Sequence, residues 1–142
     1  DMAAYIGAAR VGLAPLQPIP KYYKNIPQKI FEYMACGVPV LGSDLPTIAP
    51  FVAKAGAGLV ADCTRPERLA EGILRVVENE ADWLRMSQNG RHAFLTEYNW
   101  EAMETRLFRV YDELENRLGV SGKHLPEREP ATLCSPLLSA PE

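Results

Sequence analysis

The sequence predicts an α/β fold: a short parallel sheet with helices on both faces, forming a three-layer domain. Three observations carry that expectation. Strand-like apolar runs alternate with longer stretches of helical period, which is the pattern of βαβ units. Such alternation builds a parallel sheet covered on both sides. The chain has 142 residues, of which 47% are hydrophobic, enough for one domain with its own core.

Residues 1–9 read as a helix, followed by the strand run Val11-Gly12-Leu13-Ala14. Residues 15–26 form a loop dense in proline, lysine and tyrosine. Pro27, tolerated at a first helical position, opens a helix to about Cys36, and Gly37 stops it. Val38-Pro39-Val40-Leu41 is the second strand, with proline near its start. A helix over residues 48–55 leads to the third strand, Gly58-Leu59-Val60-Ala61.

Thr64 and Glu67 have capping-box spacing ahead of a helix that places Leu69, Ile73, Val76 and Val77 on one face. Two more helices are expected, over residues 80–97 and 100–118. The last keeps Met103, Leu107, Tyr111, Leu114 and Leu118 at helical spacing, with Asn99 as its cap. From Gly119 onward periodicity dissolves and prolines recur, so residues 119–142 are expected to be a disordered tail. Residues 1–118 are expected to form the domain.

Three strands are few for a doubly wound sheet. The chain starts at Asp1, without an initiator methionine or a signal pattern. The expectation is a piece of a longer protein, with further strands before Asp1 and a first sheet edge left unpaired and prone to aggregation.

A formal net charge of −3 argues against a general nucleic-acid binder. No apolar run approaches the length needed to span a bilayer. Cys36, Cys63 and Cys134 show neither a C-x-x-C pair nor metal-ligand spacing, and read as structural in a reducing compartment. His92 and His124 have no nucleophile or carboxylate pattern around them. Gly56-Ala57-Gly58-Leu59-Val60-Ala61 fits G-x-G-x-x-A, but it follows a helix and enters a strand, opposite to a dinucleotide fingerprint. Those glycines are assigned to a turn.

The informative stretch runs from Lys21 to Val40. On a helical wheel Ile30, Phe31, Met34 and Ala35 make the buried face, while Lys29, Glu32 and Cys36 fall opposite. Lys21, Lys24 and Lys29 lie near the start of this helix, where free N–H groups and the dipole favour an anion. Glu32, one turn further in, can accept hydrogen bonds from vicinal hydroxyls. Phosphate at the helix start with a ribose diol at a carboxylate describes a nucleoside diphosphate. The bland alternative is an exposed Glu32 paired with Lys29, a contact contributing about 0.2–0.5 kcal/mol. Lys21 reads as solvated, Tyr22 and Tyr23 as loop anchors, and Ser43-Asp44 as a helix cap rather than a ligand contact.

The run Pro27 to Asp44, P-Q-K-I-F-E-Y-M-A-C-G-V-P-V-L-G-S-D, resembles the donor-site helix and following strand of family 4 (group 1) glycosyltransferases. V-G-L-A-P-L before the loop, G-A-G-L-V-A-D after it, and Y-N-W-E with V-Y further on extend the resemblance to about Leu118. It implies the C-terminal half of the second, Rossmann-like domain of a GT-B enzyme that retains anomeric configuration. The parent would move a sugar from a UDP- or GDP-type donor to a glycan or lipid-linked acceptor. Glu32 would bind the ribose hydroxyls; Lys24, Asn25, Ile26, Gln28 and Lys29 would surround the diphosphate or sugar. Pro27 has no N–H, so the amides of Ile26, Gln28 and Lys29 are the donors there.

The resemblance further implies a partner in the N-terminal acceptor domain of the same chain. It calls for no cofactor or metal beyond the nucleotide-sugar substrate. The expected location is cytoplasmic, with peripheral association of the parent at the inner membrane face where its acceptor domain directs it. No catalytic residue is assigned: the groups nearest the reacting carbon are expected outside this stretch, and the chain alone is expected to be inactive.

Departures from the family pattern are specific. Many members carry E-x7-E, and eight positions before Glu32 stands Lys24, of opposite charge. Arg10 stands where an aspartate often precedes the strand, and Pro50 where a glutamate often sits. Lys24 keeps open a non-catalytic nucleotide-binding module, and the shared architecture keeps open a sugar-nucleotide epimerase. A purely structural remnant would bind nothing.

Overall fold

A computed structural model describes residues 2–119. The elements run α1 (Met2–Gly7), β1 (Gly12–Ala14), α2 (Lys29–Ala35), β2 (Val40–Ser43), α3 (Ala49–Ala55), β3 (Gly58–Ala61), α4 (Pro66–Glu78), α5 (Glu80–Ala93) and α6 (Trp100–Leu118). A 3-10 turn, Pro20–Tyr23, interrupts the loop after β1, and a π turn, Phe94–Tyr98, follows α5. The chain divides into two compact units, Asp1–Thr105 and Arg106–Glu142. The first holds the sheet and its packed helices; of the second, the end of α6 is described. His124, Cys134 and the tail expected from residue 120 onward lie outside the described residues.

The three strands form one parallel sheet in the order β1-β2-β3, with Gly12 opposite Val40 and Val40 opposite Gly58. β2 is buried along its whole length, whereas β3 is half-buried throughout. On one face Val40 packs with Ile30 and Met34 of α2 and with Ile48 and Val52 at α3. On the other, Leu41 lies beneath Gly72 of α4, where a Cβ would stand 2.8 Å from its Cδ1. The two-faced α/β arrangement read from the sequence is therefore present. α4 turns Gly72 and Val76 inward, with Leu69, Ile73 and Val77 half-buried beside them.

Several expectations need correction. Thr64 and Glu67 do not form a capping box: Arg65 occupies the N-cap of α4 without a side-chain bond, and Thr64 turns back to Asp62. The Asp62 carboxylate accepts from the Thr64 amide at 3.1 Å and from its hydroxyl at 2.5 Å. Pro66 fixes the first turn of α4 in place of a side-chain cap. α2 starts at Lys29 rather than Pro27, and β2 at Val40 rather than Val38, because Pro39 has no N–H for the ladder. The helix expected over residues 80–97 leaves α geometry after Ala93, where the Thr96 hydroxyl bonds the His92 carbonyl.

Ser43 and Asp44 do not cap α3, whose N-cap is Ile48. Pro50 sits in the first turn of that helix, and Gly56 closes it at φ 60°. Arg10 has a structural role. Its guanidinium reaches Glu80 at 2.5 Å and lies over the Trp83 ring at 4.3 Å, while Trp83 Nε1 donates to the Arg10 carbonyl at 2.7 Å. The start of β1 is thereby fastened to α5.

Candidate nucleotide-binding rim

In a parallel βαβ unit the helix after a strand starts beyond that strand's C-terminal end, where α/β folds hold ligands. The loop from β1 and the start of α2 therefore sit at the ligand end of the sheet. Two hydroxyls pin that loop. Ser43, buried at the end of β2, donates to the carbonyls of Leu16 at 2.7 Å and Ala14 at 3.3 Å. Thr47 donates to the Tyr22 carbonyl at 2.6 Å. Tyr22 packs against the core and anchors the loop, with Lys21 Nζ 5.7 Å from its ring centre. Sequence reading missed the Ser43 and Thr47 ties. The only hint was two small hydroxyl residues four apart, at the end of a strand and just after it.

Past Tyr22 the chain runs exposed through Lys24, Asn25 and Ile26 to Gln28. The Lys24 amide bonds Lys21 at 3.3 Å, and the Gln28 carbonyl accepts from Phe31 at 2.9 Å and Glu32 at 3.2 Å. Among the described residues, the amides of Ile26, Gln28 and Lys29 donate no hydrogen bond. Lys29 is half-buried and Glu32 exposed, one turn apart on α2. Among the described residues, no ion pair joins them and the Glu32 carboxylate has no hydrogen-bond partner. One rim thus gathers three unpaired amides, two lysines and a free carboxylate.

The buried face of α2 is as the wheel predicted. Ile30 and Met34 are fully buried, and Phe31 meets Phe51 and Tyr98 at ring-centre distances of 5.4 and 5.1 Å. Burial raises the pKa of the Tyr33 phenol, and the Glu32 charge raises it further. Cys36 is also raised, first by burial and then by Glu32, with Arg91 opposing. Both groups therefore stay protonated at neutral pH.

Two concavities lie elsewhere. One of about 250 Å³ at the strand ends is lined by Leu16, Pro18, Ser43, Asp44, Asp62 and Thr64 among others. Another of about 240 Å³ lies between β3 and α4, beside Arg68, Glu71 and Arg75. Neither is lined by Glu32 or Lys29. Unpaired amides beside lysines and a carboxylate, rather than depth, distinguish the α2 rim. Among the described residues, no helix is long and apolar enough to cross a membrane.

The family description "Glycosyl transferases group 1" matches residues 9–93. An uncharacterized glycosyltransferase of Methanocaldococcus jannaschii is 31% identical over 85 residues, covering 60% of this chain and 24% of that protein. The O-antigen chain mannosyltransferase B of Escherichia coli is 28% identical over 92 residues, covering 65% of this chain and 23% of that protein. Sucrose-phosphate synthase from Thermosynechococcus elongatus is a structural neighbour. It has a TM-score of 0.70 and 28% identity, over 82% of this chain and 28% of its own. The chain spans about a quarter of the length of the curated relatives it matches. The parallel α/β fold and the match from β1 through α5 together make this chain a member of the group 1 glycosyltransferases, with the short sheet and helices of a GT-B domain.

Proposed function

We propose that this chain supplies the donor-nucleotide site of a retaining glycosyltransferase that uses a UDP- or GDP-sugar. The observation that carries this reading is the partnerless carboxylate of Glu32, one turn in from the free amides of Gln28 and Lys29, with that of Ile26 just ahead of the helix. Glu32 accepts from the two ribose hydroxyls. The three amides, with Lys29 and Lys24, face the diphosphate and the sugar beside Asn25. Their chemical value lies in the leaving group. As the glycosidic carbon parts from the nucleoside diphosphate, charge grows on a phosphate oxygen, and fixed N–H donors stabilise it.

The acceptor in this reading is a glycan or a lipid-linked precursor. The name of the E. coli relative, an O-antigen chain mannosyltransferase, supports a polysaccharide acceptor. The reading assigns no cofactor or metal and places the enzyme in the cytoplasm, at the inner membrane face where the acceptor is lipid-linked.

A second reading rests on Lys24, which stands where the family's first glutamate is common: a module that binds nucleotide without transferring sugar. A panel of UDP- and GDP-sugars given to the full-length protein separates the two. Glycoside product, or slow hydrolysis of one donor, is expected of the enzyme; intact donors across the panel, with nucleotide still bound, select the module.

A further inference from the structure

A helix of seven residues cannot hold itself, because it barely repays its own nucleation. Glu32 therefore depends on the packing of Ile30 and Met34 beneath it and on how the ends of α2 are held. At the C-terminal end the chain closes in a Schellman motif. Gly37 takes φ 68°, its amide bonds Met34 at 3.0 Å, and the Val38 amide bonds Tyr33 at 2.9 Å. The Cys36 amide takes the Glu32 carbonyl at 3.1 Å. Of the last four carbonyls, that of Ala35 is left without a backbone partner.

Arg91 of α5 supplies it, Nη1 donating at 2.9 Å. Its neighbour Gly90 is buried against both segments: a Cβ there would stand 3.1 Å from the Ala57 Cβ, tighter than ordinary contact, and 3.4 Å from Met34 Cγ, within it. α5 thus packs beside α2, and Arg91 reaches across to the helix end. The guanidinium also brings positive charge to the negative pole of α2. Its field reaches Cys36, where it opposes the effect of Glu32.

We infer that Arg91 is a positioning residue for donor binding: it completes the C-terminal cap of α2 and so fixes Glu32 toward the ribose. The inference rests on the donor-site reading. It extends that site to a residue that touches no substrate and lies 59 positions beyond Glu32 in the chain.

The test is a calorimetric titration of the full-length protein with UDP, GDP and ADP, and with inorganic pyrophosphate, for wild type, Arg91→Ala, Arg91→Lys and Glu32→Ala. Arg91→Ala is expected to weaken the preferred nucleotide by at least about threefold while leaving pyrophosphate, which has no ribose, unchanged. Arg91→Lys, which keeps charge and a donor, restores most of the loss. Unchanged nucleotide affinity in Arg91→Ala overturns the inference. So does an equal loss for nucleotide and pyrophosphate, or a loss that tracks a lowered melting temperature and is not rescued by lysine, since each describes general disorder. Glu32→Ala reads the underlying assignment separately: if it leaves nucleotide binding intact, the ribose role of Glu32 falls, and the purpose given to Arg91 falls with it.

Discussion

Seven residues make α2 and nineteen make α6, yet the shorter helix buries Ile30 and Met34 completely while the longer buries none of its side chains. α2 has no side-chain N-cap and depends on packing, a Schellman turn and Arg91. α6 begins with the Asn99 side chain accepting from the Ala102 amide at 2.7 Å and continues through residues of good helix propensity. Its apolar stripe, from Met103 to Leu118, stays exposed. Position in α2 is thus a tertiary property, whereas helicity in α6 is a local one. A ligand-orienting side chain gains precision on the first kind of helix, because the packed neighbours leave it one place to stand.

Methionine truncation offers the largest contrast. Met34→Ala removes a fully buried side chain and is expected to cost about 2–5 kcal/mol in urea unfolding. Leu114→Ala on the exposed stripe should stay within about 0.5 kcal/mol. Similar costs at the two sites would break the comparison. Gly37→Ala should follow, costing about 1–2 kcal/mol, because a side chain is forced into left-handed backbone. Differential scanning fluorimetry reads it, and an unshifted melting temperature would show that the turn closing α2 carries little.

Asn99→Ala should cost about 1 kcal/mol of helix stability. The loss is expected as a drop in far-UV helical signal, with the urea midpoint of the sheet unit unmoved. A matching fall in that midpoint would show that the Asn99 cap supports the sheet unit as well as the helix it opens.

The smallest effect concerns pH. Arg10 holds the Glu80 pKa below its ordinary value, chiefly through their hydrogen bond. A carboxylate lowered in the folded state binds fewer protons there than when unfolded. Its contribution is present above the unfolded pKa and fades as pH falls through the folded one. Glu80→Gln should therefore narrow its stability difference from wild type as pH drops below about 4. Both groups of the pair are exposed, so the effect is small, and a pH-independent difference would assign Arg10 to stacking on Trp83 instead.

The alternation of elements was legible because buried strands and amphipathic helices carry different periods, as Val38 to Leu41 and the Leu69 to Val77 face show. The face of α2 was legible for the same reason, and the motif around Glu32 pointed to its exposed side. Closure by side chains from distant segments was not legible. Ser43 and Thr47 hold carbonyls more than twenty positions away, and Arg91 holds one 56 positions away. Sequence periodicity reports which face is apolar, and it carries no information about which distant donor meets an orphan carbonyl. The failed Thr64–Glu67 box has a similar origin: a local pattern lost to an equally local competitor, the Asp62 carboxylate.

The most direct test of the donor-site claim is a calorimetric titration of UDP, GDP and ADP into the full-length protein, repeated for Glu32→Ala. Saturable binding of one nucleotide, weakened at least about tenfold (roughly 1.4 kcal/mol) by the substitution, is the predicted result. Equal affinity in the two proteins, or a folded full-length protein that binds none of the three, would contradict it.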